Sequence, residues 1–204
     1  MSKSRLEAFS DGVFAIVVTL LVLEIKVPQL PHAHTSAELW SAVLALGPKI
    51  GTWALSFAFA TIYWVNHHQF LAVVAKVDRT ILFLNAFFLL TLSFLPFPTA
   101  LLGEYPREVP AVVVFGVSMA VIAAAFLLLR GTAARRGLLP HVPEAARRSA
   151  EIRSAAGPVL YFLGAAAGFL DPRLAWAVFL LIPVLFVGAS AADRHTSGAR
   201  AEGS

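Results

Sequence analysis

The sequence predicts an all-α integral membrane protein with six transmembrane helices per subunit and both termini cytoplasmic. Three observations predict it: too little charge for a soluble surface, six apolar runs near membrane-spanning length, and a one-sided distribution of Lys and Arg. Of 204 residues, 58% are hydrophobic and only 14% are charged, and the mean hydropathy is +0.77. A soluble domain is about 45–50% apolar and about 25% charged. A domain of this size holds one core and still needs a polar shell, so the surplus apolar content belongs in lipid. The same composition excludes a disordered or collagen-like chain. Cysteine is absent, which excludes a disulfide scaffold, a thiolate nucleophile and a Cys-based zinc site.

The first run covers about residues 8–23, AFSDGVFAIVVTLLVL, with Lys3 and Arg5 before it. That order imitates a signal peptide, but Asp11 interrupts the run, and Glu24, Ile25 and Lys26 follow where a small-residue cleavage site would stand. It is read as a retained helix. Thr35-Ser36-Ala37-Glu38 has the form of a capping box before Leu39, Trp40, Val43 and Leu44, which predicts a short amphipathic helix on the outer surface. The second run covers about 50–65, with Pro48 placed to start a helix. The third covers about 80–102, with Asp78 as N-cap and Pro96 and Pro98 bending or ending its last turn. The fourth covers about 110–129. The fifth, about 155–170, is short and Gly-rich. Only Asp171, Pro172 and Arg173 separate it from the sixth, about 174–191, so these two form an antiparallel hairpin.

A span needs about 20 apolar residues, with a range of about 17–25. Outer-membrane strands alternate apolar and polar side chains over about ten residues. These runs are continuous and longer, and a spanning helix satisfies its own backbone hydrogen bonds. With six spans, Lys3, Arg5, Lys76, Arg79, Arg130, Arg135, Arg136, Arg147, Arg148, Arg153, Arg194 and Arg200 fall on one side. Lys26, Lys49, Arg107 and Arg173 fall on the other. Cytoplasmic loops are the ones enriched in Lys and Arg. Residues 1–192 are therefore read as one six-helix unit and 193–204 as a disordered cytoplasmic tail. The basic loop between the fourth and fifth runs is a topology signal with some attraction for anionic lipid. No nucleic-acid partner follows from it.

The chemistry-bearing residues are few. A carboxylate at membrane depth is expensive and is usually paired or functional. At 100° per residue, Ile16, Leu20 and Leu23 share one stripe of the first helix, and Thr19 lies about 60° from Ile16. Asp11 lies about 140° away, so it faces sister helices, and Arg5, Ser10 or a polar group on another span are its candidate partners. The stripe's spacing is also what ordinary helix packing produces. The second run ends in Tyr63-Trp64-Val65-Asn66-His67-His68, which reads as an aromatic belt with polar residues at the membrane edge. Histidine is the side chain whose charge changes near neutral pH, which singles out His67 and His68, but adjacent histidines on a helix point apart. No metal site is expected there, nor at His32 and His34, which lack a clustered third ligand. No phosphate-binding loop, nucleotide fingerprint or nucleophile elbow is present, and the spans hold too few convergent polar groups for an enzyme.

Arg5-Leu6-Glu7-Ala8-Phe9-Ser10-Asp11 matches RxxxFSD, and on that motif the chain resembles the transmembrane protein 175 family. Gly12–Ile25 also resembles the first helix of its prokaryotic members, and Tyr63–His68 resembles the end of their second helix. The resemblance implies a potassium-permeable homotetramer of six-helix subunits in a prokaryotic inner membrane, lacking a TVGYG filter. It needs no cofactor, and its partners are the lipid bilayer and permeant monovalent cations, K⁺ above all. It further implies a pore lined by the first helix and narrowed by rings of Ile16, Leu20 and Leu23, with Thr19 adding a hydroxyl. Arg5, Phe9, Ser10 and Asp11 would then join Trp64, Asn66 and His67 in a network holding that helix. Rings from four copies would be spaced over about 10 Å at 1.5 Å per residue. A narrow apolar ring gates by dewetting, which implies modest preference for the more easily dehydrated K⁺ over Na⁺. The alternative is a proton-coupled secondary transporter using Asp11 and His67. Inverted repeats and broken helices would favour it, and neither is legible in the sequence. A structural or assembly protein without transport is also compatible with the composition.

Overall fold

The structure is a computed structural model that describes residues 2–140 and 144–185. The tail at 193–204 and the end of the sixth apolar run lie outside the described residues. The elements are α1 (Lys3–Leu23), α2 (Ser36–Leu44), α3 (Gly47–Val73), α4 (Arg79–Ser93), α5 (Pro96–Glu104), α6 (Val109–Arg135) and α7 (Glu144–Ala167). A further helix, α8, is described over Pro172–Leu185. No strand occurs among the described residues. Four stretches are long and apolar enough to cross a membrane: Lys3–Leu23, Ser36–Val73, Arg79–Glu104 and Val109–Arg135. The last two apolar helices, Ala155–Ala167 and Pro172–Leu185, are shorter.

Local signals account for most boundaries. Asp78 caps α4, accepting from the Ile81 amide at 2.9 Å. The capping box at α2 is complete: Glu38 N donates to Thr35 Oγ1 at 3.2 Å, and Thr35 N to Glu38 Oε2 at 2.7 Å. None of the residues of α2 is buried. The second apolar run ends at about residue 65, but α3 continues to Val73. It continues because His67, Phe70 and Leu71 turn into the core. The third run is divided at Phe94 and Leu95 into α4 and α5. Pro96 and Pro98 have no N–H for the carbonyls of Leu92 and Phe94, so the turn tightens. Leu95 N takes Leu92 O at 3.0 Å and Phe97 N takes Phe94 O at 3.1 Å. This is a broken span, yet those carbonyls are occupied within the helix.

The core centres on α6, which buries Val112, Phe115, Met119, Ile122 and Leu129 along its length. The glycines of the fifth run let α7 approach closely. A Cβ at Gly164 would stand 2.5 Å from Phe179 Cε1, and one at Gly168 would stand 2.7 Å from Val112 Cγ1. Small residues at such crossings let helices gain dispersion contact where lipid offers no hydrophobic drive. At one end of the bundle, Lys3 Nζ donates to Ala72 O at 2.8 Å and Val74 O at 3.1 Å. A cation thus tethers the start of α1 to the carbonyl end of α3. The loop after α3 is held to the end of α6 by Arg136–Asp78 at 2.9 Å and by Ala75 N to Leu138 O at 2.9 Å. Gly137 turns the chain there with φ +66°, a left-handed conformation that glycine adopts at little cost.

Candidate functional site

The 21 residues of α1 divide into three faces. Leu6, Ser10, Phe14, Val17 and Leu21 are buried and form a stripe centred about 120° round from Ile16. That stripe packs into the subunit core. Phe9, Gly12, Ile16, Thr19, Leu20 and Leu23 form a second stripe that the subunit leaves bare. Ile16 and Leu23 are each 59% exposed and Leu20 is 42% exposed. Ala8, Asp11, Ala15 and Val22 are also exposed and occupy the third face.

Arg5 continues the bare stripe at the start of the helix, and from Phe9 to Leu23 the stripe has one polar side chain. Thr19 Oγ1 lies 2.9 Å from both Ala15 O and Ile16 O, so its single proton is directed back along the helix. Its oxygen lone pairs remain available as acceptors. Between Phe9 and Leu23 the stripe is therefore apolar apart from one outward-facing oxygen per chain.

On the third face, Trp64 Nε1 donates to Asp11 Oδ1 at 3.0 Å, joining α3 to α1. Of the three partners open to Asp11 on sequence grounds, the structure selects the one on another span. The core face carries a separate chain of hydrogen bonds. Ser10 Oγ donates to Leu6 O at 2.8 Å, and Asn85 Nδ2 on α4 donates to Ser10 Oγ at 3.0 Å. Asn85 Oδ1 then accepts from His67 Nε2 at 2.6 Å. With the amide nitrogen committed to Ser10, this assignment puts a proton on His67 Nε2. Ser10, His67 and Asn85 are all buried. The imidazole stacks on Phe88, with centroids 5.5 Å apart and planes at 21°. Phe14 packs against both rings, 5.5 Å from the imidazole and 6.1 Å from Phe88 between centroids. The chain links α1, α3 and α4, and it fixes the rotation of α1 because a turned helix would strand buried donors.

Sequence and structure divide at several residues. Tyr63 is buried in the core rather than lying in a membrane-edge belt. His67 points inward and His68 is exposed, as adjacent helical positions require. Phe9 is exposed on the bare stripe, Arg5 is exposed and Asn66 is half-buried. Asn85 is the residue that sequence reasoning missed. Its signal was present: it is the lone amide in TILFLNAFFLL, and intramembrane polar groups seek partners on neighbouring helices. Among the described residues, no group of three His, Asp or Glu could hold a metal ion.

Comparison with known proteins gives concordant results. The family model described as endosomal/lysosomal potassium channel TMEM175 matches residues 5–96. A protein of Streptomyces collinus named as a potassium channel is 40% identical over 190 residues, covering 90% of this chain and 91% of its own. One of Chamaesiphon minutus, also named as a potassium channel, is 37% identical over 187 residues, covering 89% and 92%. The crystal structure of a lysosomal potassium-selective channel TMEM175 homolog from Chamaesiphon minutus superposes with a TM-score of 0.77 at 35% identity. That match covers 92% of this chain and 97% of the other.

Proposed function

The chain belongs to the TMEM175 family of potassium channels, and from that premise we propose that it forms a homotetrameric, potassium-preferring cation channel in a prokaryotic inner membrane. Each subunit crosses six times with both termini in the cytoplasm, and the apolar part of α7 together with α8 completes the count. Four copies of α1 line the pore. Ile16, Leu20 and Leu23 form its apolar rings, and Thr19 offers the oxygen that replaces part of a dehydrated ion's shell. The supporting observation is the bare stripe of α1. On a membrane-spanning helix whose core face is filled and whose third face holds Asp11 against Trp64, that stripe alone combines exposure with rings of bulky apolar groups. Water leaves such a ring when it narrows, so widening admits ions and narrowing stops them. Selectivity is modest because few fixed ligands face the ion. Ser10, Asp11, Trp64, His67 and Asn85 hold α1 in register.

The test is ion flux from purified protein in liposomes holding a K⁺ gradient, repeated with Na⁺. K⁺ flux above Na⁺ flux, with no second gradient required, is the expected result. Flux that appears only when a proton gradient is imposed would replace this reading with coupled transport through Asp11 and His67.

A further inference from the structure

Far from the Ser10–Asn85–His67 chain, Leu21, Glu24 and Ile25 at the end of α1 meet Lys49 and Trp53 of α3 and Gly103 of α5 around a small cavity. The helices approach closely here: a Cβ on Gly103 would lie 3.2 Å from Lys49 Cα. Lys49, on the wall, is paired with Glu104 at 2.5 Å. The indole N–H of Trp53 is buried and finds no hydrogen-bond partner among the described residues. Two other indoles do find acceptors: Trp64 donates to Asp11 and Trp176 donates to Pro106 O. Buried donors without a protein acceptor are characteristically satisfied by ordered water, provided the space is polar and water-sized.

We propose that this cavity binds one ordered water, which accepts from Trp53 Nε1 and donates to the Glu24 carboxylate. The ligand's class follows from the walls. An indole N–H only donates and a carboxylate only accepts, so the occupant must do both. That condition rejects a cation at Trp53, an anion beside Glu24, and a lipid ester carbonyl, which cannot donate. A hydroxylic molecule satisfies it, and the cavity has room for about one water. The bridge joins the last turn of α1 to α3 within one residue of Leu23. Its bearing on the outer constriction rests on the pore reading above, but the existence of the site does not.

The experiment uses the full chain in lipid nanodiscs with ¹⁵N-labelled tryptophan indoles, read by NMR. Trp53→Phe assigns the resonance. If that variant fails to assemble, Trp40→Phe, Trp64→Phe and Trp176→Phe assign it by elimination. The expected result is a downfield Trp53 indole proton with a cross-peak to water. In Glu24→Leu that peak should move more than the other three, and the water cross-peak should be lost. A Trp53 proton at the position of a free indole with no water cross-peak overturns the proposal. Cross-peaks to lipid protons in place of water, or a Trp53 signal unmoved by Glu24→Leu, overturn it as well.

Discussion

Trp64 donates its indole proton to Asp11 at 3.0 Å, on a face of α1 separate from both the buried stripe and the bare stripe. The carboxylate therefore joins helices rather than facing the proposed ion path. Asp11→Ala is expected to reduce the yield of tetramer on size-exclusion chromatography more than it alters the K⁺ to Na⁺ flux ratio of whatever assembles. Trp64→Phe should show the same ordering with a smaller loss. A stable tetramer with changed ion preference would place Asp11 in the pathway instead.

Asn85 is the centre of a buried chain between His67 and Ser10. Asn85→Ala leaves the His67 N–H without an acceptor and Ser10 without a donor. Stranding a buried polar group costs about 1–3 kcal/mol. The variant should unfold earlier in detergent titrations by that amount. A double-mutant cycle with His67→Phe should give a coupling of about 0.5–3 kcal/mol. Strict additivity would mean that the 2.6 Å contact contributes nothing.

Replacing Ile16 or Leu23 by serine removes an apolar ring from the proposed constriction. A polar ring holds water at a narrower radius. Either substitution should raise resting K⁺ leak in liposomes or bring the Na⁺ flux closer to the K⁺ flux. Wild-type leak and wild-type selectivity in both variants would take these residues out of the pore.

The Thr19 oxygen gives a more selective test. Thr19→Ser keeps an oxygen at the same place, whereas Thr19→Val keeps the shape and removes the acceptor. Bi-ionic reversal potentials should therefore be near wild type in the serine variant and shifted toward Na⁺ in the valine variant. Equal values in all three would reduce the hydroxyl to its bonds with Ala15 O and Ile16 O.

At the loop joining α3 and α4, the Ile81 amide holds the Asp78 carboxyl below the ordinary carboxylate range, and Arg136 adds to the effect. A depressed value in the folded state means the contribution is full above the unfolded value, about pH 4. It is lost as pH falls through the lower, folded value. The tie between the α3–α4 loop and the end of α6 should therefore persist at neutral pH and open only in strong acid. Hydrogen exchange of the Ile81 amide is the readout. Asp78→Asn should keep the cap and lose the ion pair, while Asp78→Ala should lose both. Ile81 protection that falls between pH 7 and 5 would contradict this account.

Most of the architecture is carried by local signals. Continuous apolar runs force helices in lipid, and caps and prolines set many of their ends, as at Thr35, Asp78 and Pro96. The RxxxFSD motif at Arg5–Asp11 marks the family because seven neighbouring residues suffice to state it. Packing decided what such signals could not. Periodicity placed Ile16, Leu20 and Leu23 on one stripe, but it did not distinguish core from a bare surface. That required α3 and α4 to cover Leu6, Ser10, Phe14, Val17 and Leu21 on the adjoining face. Asp11 had three candidate partners until α3 brought Trp64, 53 residues away in the chain, to hydrogen-bond distance. Asn85 joined the site only when α4 brought it between His67 and Ser10. Hydrogen bonds across helices depend on rotation and distance between elements, and a linear sequence specifies neither until the helices pack.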